Sequence, residues 1–122
     1  MRRILFLFAI LMAASASAQE LTSGVSYVQT YEQAMEIENK KVLVIFGADW
    51  CLYCQKLKGD LDLLNLDEYV VCMVDADERA ELKIKHSFKI LPTSLILLNR
   101  KEISRKSGYL KQDYMGWLKK NK

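Results

Sequence analysis

The chain has 122 residues, 51% hydrophobic and 27% charged, with three cysteines, one proline and a formal charge of +3. This length suits one compact domain and leaves no room for a second. Charges of both signs, with no long run of either, argue against disorder, a nucleic-acid-binding tail and an acidic solvating protein.

Residues 1–18 read as a secretory signal peptide. Arg2 and Arg3 form a positive start, Ile4 to Met12 an apolar stretch of nine residues, and Ala16-Ser17-Ala18 a small-residue cleavage site. The stretch falls well short of the roughly 20 residues that span a bilayer. Cleavage after Ala18 would leave a mature domain of residues 19–122, with 16 basic residues against 15 acidic ones. Near-neutrality gives little support for binding nucleic acid or an anionic membrane. All three cysteines would enter an exported, oxidising compartment, periplasmic or secreted. An odd number leaves at least one thiol outside any internal disulfide.

Along the mature chain, Gln19 to Gly24 is a polar lead-in and Val25 to Val28 a short predicted strand. Thr30 to Glu38 is predicted helical, with Tyr31, Ala34, Met35 and Ile37 available to a core. The run Val42-Leu43-Val44-Ile45-Phe46 suits a central strand covered on both faces. Gly47 breaks it. Cys54, Leu57, Leu61 and Leu64 then recur at helical steps, placing a helix start near Cys51. Tyr69 to Val74 follows as a strand, and Glu78 to His86 as a weakly patterned helix. Beyond Pro92 come a strand over Ser94 to Leu98, a turn at Asn99-Arg100 and a strand containing Ile103. Leu110, Tyr114, Trp117 and Leu118 stripe a closing helix. Strands alternating with helices predict an α/β fold, a central sheet with helices on both faces.

The chemistry concentrates at Asp49-Trp50-Cys51-Leu52-Tyr53-Cys54. A C-x-x-C opening a helix after a buried strand brings two thiols within bonding reach and sets the first among unpaired backbone N–H groups. The helix dipole favours a thiolate at Cys51. Lys56 and Lys58 add to this, and Asp49 opposes it. Cys54 points to the helix's buried face and is expected to be the protected, resolving thiol. A zinc site needs a second ligand pair, and Cys72 with His86 does not form one. A purely structural bridge over so small a ring would stabilise little.

These residues resemble the thioredoxin superfamily. Val42 to Cys54 looks like its central strand and active site, and Ile90-Leu91-Pro92-Thr93 like the loop that carries its cis-proline. The closest likeness is to the C-terminal periplasmic domain of the transmembrane thiol:disulfide interchange reductases, and to small exported thioredoxin-like proteins. The resemblance implies a thioredoxin fold with a mixed sheet and thiol-disulfide exchange in which Cys51 attacks and Cys54 resolves. It further implies that Trp50, Leu91 and Pro92 line the substrate surface and that the Leu91-Pro92 bond is cis. The expectation is a monomer acting on protein thiols and disulfides, without cofactor or metal, supplied with electrons by a membrane thiol reductase. The chain is too short for the helical insertion of periplasmic oxidases, so a reductant is favoured over an oxidase or isomerase. A redox-inert binding module with the same fold is the rival from another class.

The chain departs from the family at three places. Leu52-Tyr53 matches neither the Gly-Pro of cytosolic thioredoxins nor the Pro-His of periplasmic oxidants. Ile45 stands where thioredoxins and the reductase domains bury an acid, and Lys58 stands where the reductase domains carry a second one. The site is therefore expected to be more electropositive than the family's. Cys72 reads as a small buried hydrophobe. His86 reads as a solvated or capping residue, and Tyr114 and Trp117 as core.

Overall fold

In a computed structural model, residues 25–122 are described; the segment expected to be a signal peptide and the expected polar lead-in lie outside them. Five strands run β1 (Ser26–Val28), β2 (Lys41–Gly47), β3 (Tyr69–Asp75), β4 (Thr93–Leu98) and β5 (Lys101–Ser107). The helices are α1 (Tyr31–Met35), α2 (Leu52–Asp60), α3 (Ala80–Lys85) and α4 (Lys111–Lys120). The strands form one sheet in the order β1-β3-β2-β4-β5. β1 and β2 both lie parallel to β3, and β4 is antiparallel to β2 and β5. This is the thioredoxin fold, with β2 at its centre as its apolar run predicts.

Period-two alternation divides the core. Val42, Val44 and Phe46 of β2 meet Tyr31 and Ala34 of α1 and Leu82 of α3 on one face. Leu43 and Ile45 meet Leu57 of α2 and Tyr114 and Leu118 of α4 on the other. The two polar side chains buried in β4 are satisfied: Thr93 Oγ1 donates to the Ile90 carbonyl at 2.5 Å, and Ser94 Oγ accepts from Tyr114 Oη at 2.6 Å. The β4–β5 hairpin turns through Asn99 and Arg100, both at positive φ (50° and 71°), as a two-residue turn with the twist of its strands requires.

Several elements are shorter than the sequence predicts. Val25 stays outside β1. α1 ends at Met35 because the Glu36 and Ile37 amides bond the carbonyls three residues back, tightening the last turn. Its start is sharp, with Thr30 Oγ1 accepting from the Gln33 amide (3.0 Å) and Gln33 Oε1 from the Thr30 amide (3.1 Å). α2 gives way to a 3-10 turn over Leu61–Leu63. α3 begins two residues late because the Asp75 carboxylate takes the amides of Asp77 and Glu78 (2.8 and 3.3 Å) and holds them in a turn.

Candidate active site

β2 delivers the chain through Gly47 to a short loop, and α2 begins where that loop ends. Cys51 is the N-cap of α2, extended at φ −89° and ψ 114°. The helix thus starts where the spacing predicts, at the first cysteine. Its Sγ accepts the Cys54 amide at 3.2 Å, the place an N-cap hydroxyl or carboxylate usually fills. Cys51 and Cys54 are joined as a disulfide, with Cα atoms 5.2 Å apart.

Cys54 is buried, as expected of the protected thiol, and in this oxidised form Cys51 is buried with it. Cys51 and Cys54 are 6% and 7% exposed, because the bonded sulfurs share one pocket against Ala48 and Leu91. The helix-end hydrogen bond goes to Cys51.

The other expected site residues surround the pair. Leu91 packs against the disulfide and Ala48, and the Leu91-Pro92 peptide is cis. Pro92 is buried, and its carbonyl accepts the Gly108 amide at 2.7 Å, tying this loop to the end of β5. Trp50 is 71% exposed, and its Nε1 donates to Asp77 Oδ2 at 2.8 Å. Leu52, Tyr53 and Ile90 add further exposed apolar surface.

Behind Cys54 lies a cleft of about 450 Å³ lined by Ile45, Gly47, Asp49, Lys58, Met73 and Asp75, among others. Ile45 is 1% exposed, so an aliphatic group occupies the interior place under the resolving sulfur. Two carboxylates, Asp49 and Asp75, line the cleft with the single cation Lys58. Sequence reasoning missed Asp75. The signal available was register, because Asp75 ends β3 opposite Gly47 of the parallel strand β2. Gly47 was read only as a strand breaker, yet a Cβ there would lie 3.2 Å from Cys54 Sγ and 3.3 Å from its Cβ. A side chain at this position would press on the disulfide.

The remaining candidates separate cleanly. Cys72 is fully buried in β3, and burial pushes its thiol up to about 11, which makes it inert at neutral pH. Tyr114 is core and Trp117 is partly buried beside it. His86 caps α3, one of its two expected readings, and is not fully solvated. It stands at the backbone C-cap of α3, but its ring is half-buried, with Nε2 2.7 Å from Tyr31 Oη and its centroid 5.7 Å from that of Phe46. Among the described residues no group of three or more His, Cys, Asp or Glu is placed to hold a metal ion.

Residues 23–120 match the thioredoxin family. The chain is 25% identical over 97 residues to a thioredoxin of Rickettsia bellii, covering 76% of this chain and 92% of that one. It is 31% identical over 86 residues to protein disulfide isomerase-like 1-4 of Arabidopsis thaliana, covering 67% of this chain but only 14% of that protein. Among solved structures, Malassezia sympodialis thioredoxin superposes with a TM-score of 0.68 at 19% identity, over 80% of this chain and 90% of the other. A Plasmodium falciparum thioredoxin superposes with a TM-score of 0.66 at 25% identity, over 80% and 88%. Fold, family match and a bondable cysteine pair agree: the chain belongs to the thioredoxin family and is a thiol-disulfide oxidoreductase.

Proposed function

We propose that this protein is an exported reductant or electron carrier of the periplasm or the secreted space, close in role to the C-terminal domain of the membrane thiol:disulfide interchange reductases. One observation carries the reading: the Cys51–Cys54 disulfide caps α2 beside the cis Leu91-Pro92 loop, where a substrate disulfide can approach Cys51 along an exposed apolar surface. In the reduced protein the Cys51 thiolate attacks a substrate disulfide, forming a mixed disulfide and releasing one substrate thiolate. Cys54 then loses its proton and attacks Cys51 Sγ. The second substrate thiolate leaves, the Cys51–Cys54 disulfide forms, and two electrons have passed to the substrate.

Trp50, Leu91 and Pro92 are the substrate contacts in this reading. Leu91 precedes β4, and neither of its backbone groups has a backbone partner among the described residues. An extended substrate segment can pair there by strand addition. A membrane thiol reductase then restores the dithiol by the reverse exchange. The direction is supported by the connection from β3 to β4, which holds α3 and no helical insertion of the kind periplasmic oxidases carry. Export is supported by Arg2-Arg3, Ile4 to Met12 and Ala16-Ser17-Ala18.

The deciding measurement is the reduction potential of the pair. A value near thioredoxin's, about −270 mV, is expected, and one near −120 mV would make the protein an oxidase. Disulfide reduction that persists without Cys51, or is absent altogether, would leave the fold as a binding module. For export, the mature protein is expected to begin at Gln19, which its intact mass would show.

A further inference from the structure

A second concavity, about 530 Å³, begins at the active-site dipeptide and runs down the outer side of α2 to the start of α4. Tyr53, Lys56 and Asp60 form one wall, and Tyr109, Leu110 and Lys111 the other. Its apolar parts are open to solvent, Tyr53 at 48% and Leu110 at 67% exposure. Leu110 spans the gap between β5 and α4, far from Tyr53 in the chain, yet the fold sets both in one groove. The groove is continuous with the redox surface because Tyr53 lies between the two cysteines.

Its charge is uneven. Asp60 is already engaged, with its Oδ2 accepting Tyr109 Oη at 2.7 Å. Lys56 and Lys111 enter no ion pair among the described residues. The Lys56 ammonium lies 5.2 Å above the Tyr53 ring centroid, a cation–π contact that holds it at the groove's mouth. Two cations thus face one carboxylate that already carries a hydrogen bond, and the apolar walls between them lack a partner.

We propose that this groove seats an acidic, apolar segment of the substrate protein next to its target disulfide. Tyr53 and Leu110 take an apolar side chain, and Lys56 and Lys111 take a carboxylate. Selection among substrates is then made on the α2–α4 side, away from the sulfurs that exchange. The proposal rests on the reading that Cys51 and Cys54 exchange with protein disulfides.

Three substrates test it with the full mature chain in its reduced form: a disulfide peptide with leucine and glutamate beside one cysteine, the same peptide with lysine for glutamate, and an uncharged small-molecule disulfide. The acidic peptide is expected to be reduced about tenfold faster in kcat/KM than the basic one, with the difference shrinking as salt rises. The variant Lys111→Glu should abolish the preference for the acidic peptide and leave the small disulfide unaffected. Gly59→Phe adds a ring to the groove's lining, where an added Cβ meets nothing within 4 Å, and once its fold is verified by circular dichroism it is expected to slow both peptides and spare the small disulfide. Equal peptide rates in the native protein, or a preference that survives charge reversal, would overturn the groove. Equilibrium binding of the two peptides with serine for cysteine, read by tryptophan fluorescence, probes the groove without the chemistry. Preference for the acidic peptide there, with no reduction of any disulfide, supports the groove and defeats the redox reading instead.

Discussion

At the residue scale, two positions govern the chemistry. Cys51 Sγ accepts an amide at the start of α2, whereas Cys54 borders the cleft lined by Ile45, Asp49 and Asp75. The first site stabilises negative charge and the second does not. In the reduced protein, alkylation near neutral pH followed by peptide mapping is expected to label Cys51 first; preferential labelling of Cys54 would reverse the assigned roles. Ile45 has a further consequence. A carboxylate in its place could take the resolving thiol's proton, which an isoleucine cannot, but burying it would cost stability. Ile45→Asp is therefore expected to destabilise the fold by about 2–4 kcal/mol through lost apolar burial and a poorly solvated polar group. The same change should speed release from a trapped Cys51 mixed disulfide. Stopped-flow kinetics on the folded variant reads that step, and an unchanged rate would mean the proton leaves through the cleft, towards Asp49, Asp75 or water.

At the scale of elements, the junction of β2 and α2 is the tightest point. Gly47 is required for contact rather than for an unusual backbone angle, because its missing side chain is what lets Cys54 pack against the end of β2. In Gly47→Ala the new methyl would press on a residue held by both helix and disulfide. Overpacking of this kind typically costs about 1–3 kcal/mol. The loss is expected to be larger in the oxidised protein than in the reduced one, where the Cys54 thiol is free to turn away, and denaturant titration of both forms would compare them. The start of α1 tests a local effect instead. Thr30→Ala removes one half of the reciprocal cap formed with Gln33 and should cost about 1 kcal/mol, read as a lower denaturation midpoint at an unchanged slope.

Across the whole molecule, the one histidine joins elements that are remote in sequence. His86 at the end of α3 reaches Tyr31 of α1 and Phe46 of β2, with Lys85, Glu102 and Arg105 as its charged neighbours. Burial, reinforced by Lys85 and Arg105, holds its pKa below 6.5 despite the opposing Glu102. Above 6.5 the ring is neutral in both the folded and unfolded states, and its packing contributes fully. As pH falls below 6.5 the unfolded chain takes up the proton first, so stability declines until the folded-state pKa is passed. Thermal unfolding between pH 7.5 and 5 should show this decline, and His86→Gln should flatten it. An equally steep decline in that variant would place the titrating group elsewhere.

The sequence by itself determined the order of strands and helices, the central place of β2, the helix start at the cysteine pair and the Leu91-Pro92 loop. The first three are written in near neighbours, an apolar run, a three-and-four spacing and a glycine that ends a strand, and the loop is legible through the resemblance of Ile90-Leu91-Pro92-Thr93 to the family's. The tertiary structure decided what depends on distance along the chain. His86 meets Tyr31 across 55 positions, and Trp50 meets Asp77 across 27. Asp75 enters the cleft behind Cys54 only because β3 lies parallel to β2 in one register, and Tyr53 and Leu110 share a groove only because α2 and α4 cover the same face. The similar burial of the two cysteines belongs with these, since the walls that cover them, Ala48 and Leu91, come from the loop after β2 and the loop before β4. Local pattern encodes which segments form and which face each one buries. Which side chains then meet depends on how those faces pack, a property of the assembled chain that no single stretch of it contains.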